Sequence, residues 1–231
     1  MLRLQRRDRA GFSPASSSVT ANNTLRCDWC GVKGRLRIGE QKGSGPDVTV
    51  RLTMICQGAT RKTIDAAFGR EEEPLLDFAP LPRRATSFNR VSCAPGLAAR
   101  QTATRLGVAA VDDPRLRDLD VGRWTGLRLD DLSRSDPCAF AMWLSDPDST
   151  VHEGESLRNF LVRIGAWMDS VTESDSTTLA IASAAVIRAA LVHSLQTGPP
   201  TFWRIDITPL SRTSLRSNFG RWNLIELARR S

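Results

Sequence analysis

The chain has 231 residues, of which 41% are apolar and 25% charged, and a formal net charge of +7. These values fit one sizeable hydrophobic core plus a tail, and no apolar run reaches the roughly 18 residues of a membrane-spanning helix. The charge is uneven: residues 1–46 hold nine Lys/Arg against three acids, whereas the rest hold 23 against 22. The body is therefore nearly neutral, and capture of a nucleic-acid backbone would rest on the tail alone.

Residues 1–46 are rich in Arg, Ser, Gly and Asn, show no apolar period, and include the linker-like stretches SPASSS and QKGSGP. They are expected to form a flexible basic tail, largely without regular structure, ahead of a folded domain over 47–231. The start lacks the apolar centre of a secretory signal; its Arg- and Ser-rich, acid-poor character faintly resembles a transit peptide. Cys27-Asp28-Trp29-Cys30 is half of a zinc-ribbon spacing with no second Cys pair or His pair after it, so no metal is expected. Five cysteines do not outline a disulfide framework, and a reducing, cytoplasmic setting is the expectation.

From residue 47 the pattern alternates. Residues 48–55, VTVRLTMI, have the length and composition of a buried strand. Residues 61–87 carry Pro and charge and read as a long excursion. Residues 88–93 suggest a short strand, 97–106 a helix by propensity, and 127–144 a helix interrupted near Pro137. The clearest helix spans 155–171, where Leu157, Phe160, Leu161, Ile164, Trp167, Met168 and Val171 recur at spacings of three and four. Residues 179–182 read as a small buried strand and 184–195 as a helix packed close by its alanines. Residues 205–210, 213–217 and 222–227 read as terminal strands. The alternation predicts an α/β layered domain with a largely parallel central sheet flanked by helices.

In open α/β sheets ligands bind beyond the carboxyl ends of the strands. The first strand runs into MICQGAT, residues 54–60, which offers a thiol and an uncharged amide and no acid, base or cation. Five stretches in order explain what stands there: LTMICQGAT, VSCAPGLAARQTATRLG, DPRLRDLDVGRWTGLRLDDL, HEGESLRNFLVRIGAWMD and LAIASAAVIRAALVHSL. Together they resemble the histidine phosphatase superfamily, the phosphoglycerate mutase-like branch. The resemblance implies that fold, one that often dimerises; here the oligomeric state, including a homodimer, stays open. It implies a chemistry in which a histidine takes a phosphoryl group, two arginines and a second histidine hold its oxygens, and a carboxylic acid protonates the leaving oxygen. Guanidinium forks suit phosphate oxygens, and a neutral imidazole attacks well near pH 7.

Matched position by position, the chain departs at four of those five. Cys56 stands at the first arginine, Gln57 at the nucleophile, Ala98 at the second arginine and Ser183 at the second histidine; Asp118 keeps the acid position, one methylene shorter than Glu. The resemblance thus implies a pocket bare of nucleophile and oxyanion grips, and a protein acting as a binding or scaffolding module for a small molecule or a protein, without a cofactor. The alternative is an enzyme repurposed around another group such as Cys56, with Cys93, Asp118 and His152 nearby; with the family's cations gone, that thiol is expected to stay protonated. The pocket candidates are Cys56, Gln57, Gly58, Thr60, Cys93, Asp118, His152, Ser183 and Arg188. Several of these have plainer readings: Cys56 and Cys93 as small buried hydrophobes, Gly58 and Thr60 as turn residues, His152 as a surface-loop residue, and Arg188 as a salt-bridge partner. His193 reads as structural. Trp124, Trp143, Trp167, Trp203 and Trp222 read as packing residues, since they are scattered without interleaved Lys/Arg. A third reading gives the basic tail an acidic partner.

Overall fold

The computed structural model describes residues 49–76, 87–172, 177–218 and 220–230, together with two short strands near the start of the chain. Those two, β1 (Thr24–Arg26) and β2 (Lys33–Arg35), pair antiparallel with Thr24 opposite Arg35. They belong to a unit of residues Met1–Gly45, separate from the unit Pro46–Ser231. The stretch expected to lack regular structure therefore contains a paired ribbon. The Cys27/Cys30 spacing lies outside the described residues, as do residues 77–86 of the excursion.

In the larger unit β3 (Thr49–Cys56) alternates buried and less buried positions, with Val50, Leu52, Met54 and Cys56 on its buried side. It lies between β6 (Thr177–Ala182), which is parallel, and β7 (Ser211–Asn218), which is antiparallel. The six strands run in the order β5-β4-β6-β3-β7-β8. Here β4 is Arg90–Cys93, β5 is Val111–Asp112 and β8 is Arg221–Arg230. Strands β5, β4, β6 and β3 are mutually parallel, and β7 enters antiparallel at the far side. β6 is buried without alternation from Thr178 to Ala182, as a strand covered on both faces must be. The register sets Cys56 opposite Ala182 and Cys93 opposite Ile181, so three strands end together at one edge of the sheet.

Helices flank the sheet, and the fold class read from the alternation is the one observed. The short α1 (Arg61–Asp65) lies in the stretch read as an excursion. α2 (Leu97–Leu106) stops at Gly107, whose φ of +70° supplies the left-handed stop that glycine adopts without strain. The helix expected over 127–144 is two helices, α3 (Leu129–Ser135) and α4 (Pro137–Ser145): Pro137 takes the first turn of α4 and the Asp136 side chain accepts from the Ala139 N–H. α5 (Leu157–Thr172) buries the predicted stripe, except that Leu161 is only partly covered. Complete burial of a side chain such as Phe160 or Ile164 stabilises by about 1.5–3 kcal/mol. α6 (Ala184–Ser194) packs on α5 and buries Ala189 and Ala190 completely.

The strand expected over 205–210 is absent. A 3-10 turn over Pro199–Arg204 leads into an irregular stretch ending at Leu210 (φ 62°), whose N–H donates to the Cys56 carbonyl at 3.1 Å. Pro209 has no N–H to give a ladder, and the chain must turn before β7 begins. A second, smaller cluster gathers Val121, Trp124, Leu132 and Trp143 with Phe68 and Trp203 against it. Among the described residues no helix is long and apolar enough to cross a membrane.

Candidate functional site

The carboxyl ends of β3 and β6 open into a cavity of about 760 Å³. Its floor is the loop after β3. The Gln57 N–H donates to the Ala182 carbonyl at 2.8 Å and the Gly58 N–H to Thr102 Oγ1 at 3.0 Å, while Thr102 in turn donates to the Ala98 carbonyl at 2.7 Å. The loop is thus tied to β6 on one side and α2 on the other. Cys56, Gln57, Gly58, Thr60, Ala98, Asp118, Ser183 and Arg188 all line this cavity. Cys93 and His152 do not line it.

Asp118 is fully engaged. Its Oδ2 accepts from Lys62 Nζ at 2.9 Å, and its Oδ1 accepts from Ser183 Oγ at 2.7 Å and from the Leu119 N–H at 3.0 Å. Burial pushes its carboxyl pKa up, but the Lys62 charge and hydrogen bond, helped by Ser183, outweigh that and hold it below the usual carboxylate value. Asp118 is therefore an ion near neutrality with no proton to give a leaving oxygen. The ammonium of Lys62 is raised above its ordinary value chiefly by the Asp118 charge, against the opposing effect of burial.

Lys62 is the residue that sequence reading missed, and it corrects the expectation of a cavity bare of charge. Its stem passes over Gly69, where a Cβ would sit 2.0 Å from Lys62 Cδ. Only a residue without a side chain leaves that path open. No motif announces the pair, because it joins α1 to a loop 56 residues further on. Arg188 also reaches the cavity and its Nη2 lies 3.8 Å from the fully exposed Asp206, so both readings of this residue hold at once. Across the lining, among the described residues, four cations (Lys62, Arg70, Arg117, Arg188) meet five acids (Glu71, Glu72, Glu73, Asp118, Asp120). The cavity is charged but nearly balanced. Its side wall is aromatic, with Phe68, Trp143, Phe202 and Trp203; the Trp143 and Trp203 rings meet at 4.5 Å and those of Phe202 and Trp203 at 4.8 Å.

Burial, with the Asp118 charge, pushes the Cys56 thiol up to about 12 although Lys62 and Arg188 pull it down. The thiol is protonated as expected, but the cause is enclosure and not a missing cation. Burial also raises the Cys93 thiol to about 12, and it donates to the Ala94 carbonyl at 3.2 Å. His152 is not a surface-loop residue: it is 0% exposed, with its ring tilted against Trp124 at 5.2 Å between centroids and its Nδ1 accepting from the Gly154 N–H at 3.0 Å. Burial lowers its pKa, so it is neutral near pH 7. His193 contacts Asp169 at 3.0 Å on the α5–α6 face.

Comparison with known proteins agrees with this architecture. The profile of the histidine phosphatase superfamily (branch 1) matches residues 81–229. The chain belongs to the histidine phosphatase superfamily. An α-ribazole phosphatase from Shigella flexneri is 17% identical with a TM-score of 0.67, over 78% of this chain and 97% of that one. A mycobacterial glucosyl-3-phosphoglycerate phosphatase is 20% identical with a TM-score of 0.65, over 78% and 99%. A phosphoserine phosphatase from Entamoeba histolytica, as a mutant complexed with phosphoserine, is 15% identical with a TM-score of 0.66, over 77% and 95%. A search of curated proteins gives no match.

Proposed function

We propose that this chain is a histidine-phosphatase fold without phosphatase chemistry, a pseudophosphatase whose cavity binds a small molecule or a protein segment. What supports the reading is that the four side chains which motif resemblance sets at the family's working positions, Cys56, Gln57, Ala98 and Ser183, line one cavity. Gln57 cannot attack phosphorus, and Cys56, Ala98 and Ser183 bring no charge to grip an oxyanion. Loss of a nucleophile alone costs on the order of 10⁴–10⁶ in rate. The surviving acid supports the same reading, since Lys62 keeps Asp118 ionised. A repurposed thiol enzyme has less support, because the Cys56 thiol is held protonated by its burial.

The test pairs two proteins. Hydrolysis of a generic phosphate monoester is measured for the native chain and for the variant carrying Cys56→Arg, Gln57→His, Ala98→Arg and Ser183→His. The expected result is no turnover by the native chain and measurable turnover by the variant. Comparable turnover by both overturns the proposal.

A further inference from the structure

The turn that carries His152 is stitched to the loop that brings Asp120 and Val121 to the cavity lining. The Arg123 N–H donates to the His152 carbonyl at 2.9 Å, and the Glu155 N–H donates to the Asp120 carbonyl at 2.8 Å. Between these two bonds the Gly154 N–H finds its acceptor on a side chain, His152 Nδ1, at 3.0 Å. The turn is strained at this point: Glu153 holds φ at 64°, the left-handed region that a residue with a Cβ enters at a cost. A neutral imidazole has one N–H and one accepting nitrogen. Since Nδ1 accepts, the proton sits on Nε2, which is buried without a hydrogen-bond partner. A second proton has only Nδ1 to go to, and there it would point at the Gly154 N–H, donor against donor. The charged ring and the closed turn therefore exclude each other.

The surroundings do not rescue the charge. The ring lies beside Trp124, in the cluster to which α3 and α4 contribute Leu132 and Trp143. Burial opposes the imidazolium most; from the loop 119–123, Asp120 favours it and Arg123 opposes it. Asp120 Oδ1 is itself engaged, accepting from the Gly122 N–H at 2.8 Å. In the turn that holds His152, the Glu153 side chain is 78% exposed and lies 3.6 Å from Arg123, and Glu155 is held by Arg163 at 2.6 Å. Folded, the ring is therefore harder to protonate than a free imidazole. The closed turn keeps its full stability above the ordinary value of 6.5 and loses it as pH falls from there to the folded value. That window lies above the acid range in which Asp118 loses its charge.

We infer that His152 is an acid-released latch: while neutral it closes its turn against the loop 119–123, and on taking a proton it frees that wall of the cavity. The inference stands whether or not the cavity turns over phosphate. The chain has two histidines, so nitrogen NMR of the imidazoles in the full protein reads both, with His193, on the α5–α6 face, as the control. At pH 7.5 His152 is expected as the Nε2–H tautomer. Between pH 6.5 and 5.5 hydrogen exchange of the Gly154 amide, corrected for its intrinsic rate, is expected to speed up by about tenfold, the linkage limit for one proton over one pH unit. His152→Asn brings an oxygen that accepts from the same N–H and does not titrate, and it is expected to hold Gly154 exchange level over that range. His193→Gln is expected to leave the acceleration in place. An Nδ1–H tautomer, Gly154 exchange that does not change between pH 6.5 and 5.5, or the same acceleration in His152→Asn overturns the inference. Should His152→Asn fail to fold, the tautomer and the exchange of the native chain decide it.

Discussion

Lys62 and Asp118 show how one unannounced contact resets the chemistry of a site. Their side chains are 24% and 39% exposed, so the pair is enclosed but not sealed. The Asp118 carboxyl sits below its ordinary value in the fold, so the stability it confers is present above the usual carboxylate pKa and is lost as pH falls through the folded-state value. The Lys62 contribution has the opposite sense: it is present below the ordinary ammonium value and lost as pH rises through the raised one. Lys62→Met is therefore expected to cost about 1–3 kcal/mol near neutrality, with the gap from the native protein closing as the solution is acidified below about pH 4. Urea unfolding across pH 3–8 measures it, and a gap that persists into acid contradicts the assignment. The thiols give a second readout. Iodoacetamide at pH 8 is expected to label the exposed Cys138 and to spare Cys56 and Cys93 until the protein unfolds; peptide mass spectrometry separates the sites. At this scale the sequence was legible in bringing Gln57 and Ser183 to one cavity at the strand ends. It was opaque at Lys62, His152 and the aromatic wall, where only tertiary approach creates the environment.

At the scale of elements, the motif residues that this chain retains are occupied in holding the frame. Gln101 Oε1 accepts from the Leu75 N–H at 2.8 Å, Thr102 Oγ1 holds the loop after β3, and Ser156 Oγ accepts from the Asn159 N–H at 3.2 Å to cap α5. Glu155 receives both arms of Arg163, at 2.9 and 2.6 Å, from α5. The same guanidinium donates to the carbonyls of Arg115, Arg117 and Asp118 at 2.7, 3.1 and 3.4 Å. One planar fork thus binds a helix to the whole loop that presents Asp118. Arg163→Ala leaves the half-buried Glu155 carboxylate only the looser contact with Arg117 at 3.6 Å, and is expected to cost about 1–3 kcal/mol. Arg163→Lys keeps the charge, loses the fork and is expected to fall between. Chemical denaturation checks both, and a loss within 0.5 kcal/mol, roughly the scatter of surface substitutions, contradicts the role. Helix α5 was legible because its apolar stripe runs with one period throughout. The stretch over 205–210 misled because Ile205 and Ile207 alternate with Asp206 and Thr208 like a strand, while Pro209 and the left-handed Leu210 turn the backbone.

For the molecule as a whole, residues Pro46–Ser231 form a unit with its own sheet and core. A chain beginning at Pro46 is expected to keep a single cooperative thermal transition followed by circular dichroism, and loss of that transition would show that the preceding segment is needed for folding. The truncated protein also sheds the cationic stretch and is expected to lose any retention of the full chain on a heparin column at low salt. The architecture was legible because β6, α5 and the strand-to-loop junctions each agree locally with the global arrangement. There is a last lesson in two places where backbone crosses backbone. A Cβ on Gly122 (φ +48°) would lie 2.2 Å from the His152 carbonyl oxygen, and one on Gly154 would lie 2.3 Å from that of Asp120. Sterics alone forbid any bulk at either crossing. Those glycines therefore certify the scaffold and say nothing about turnover.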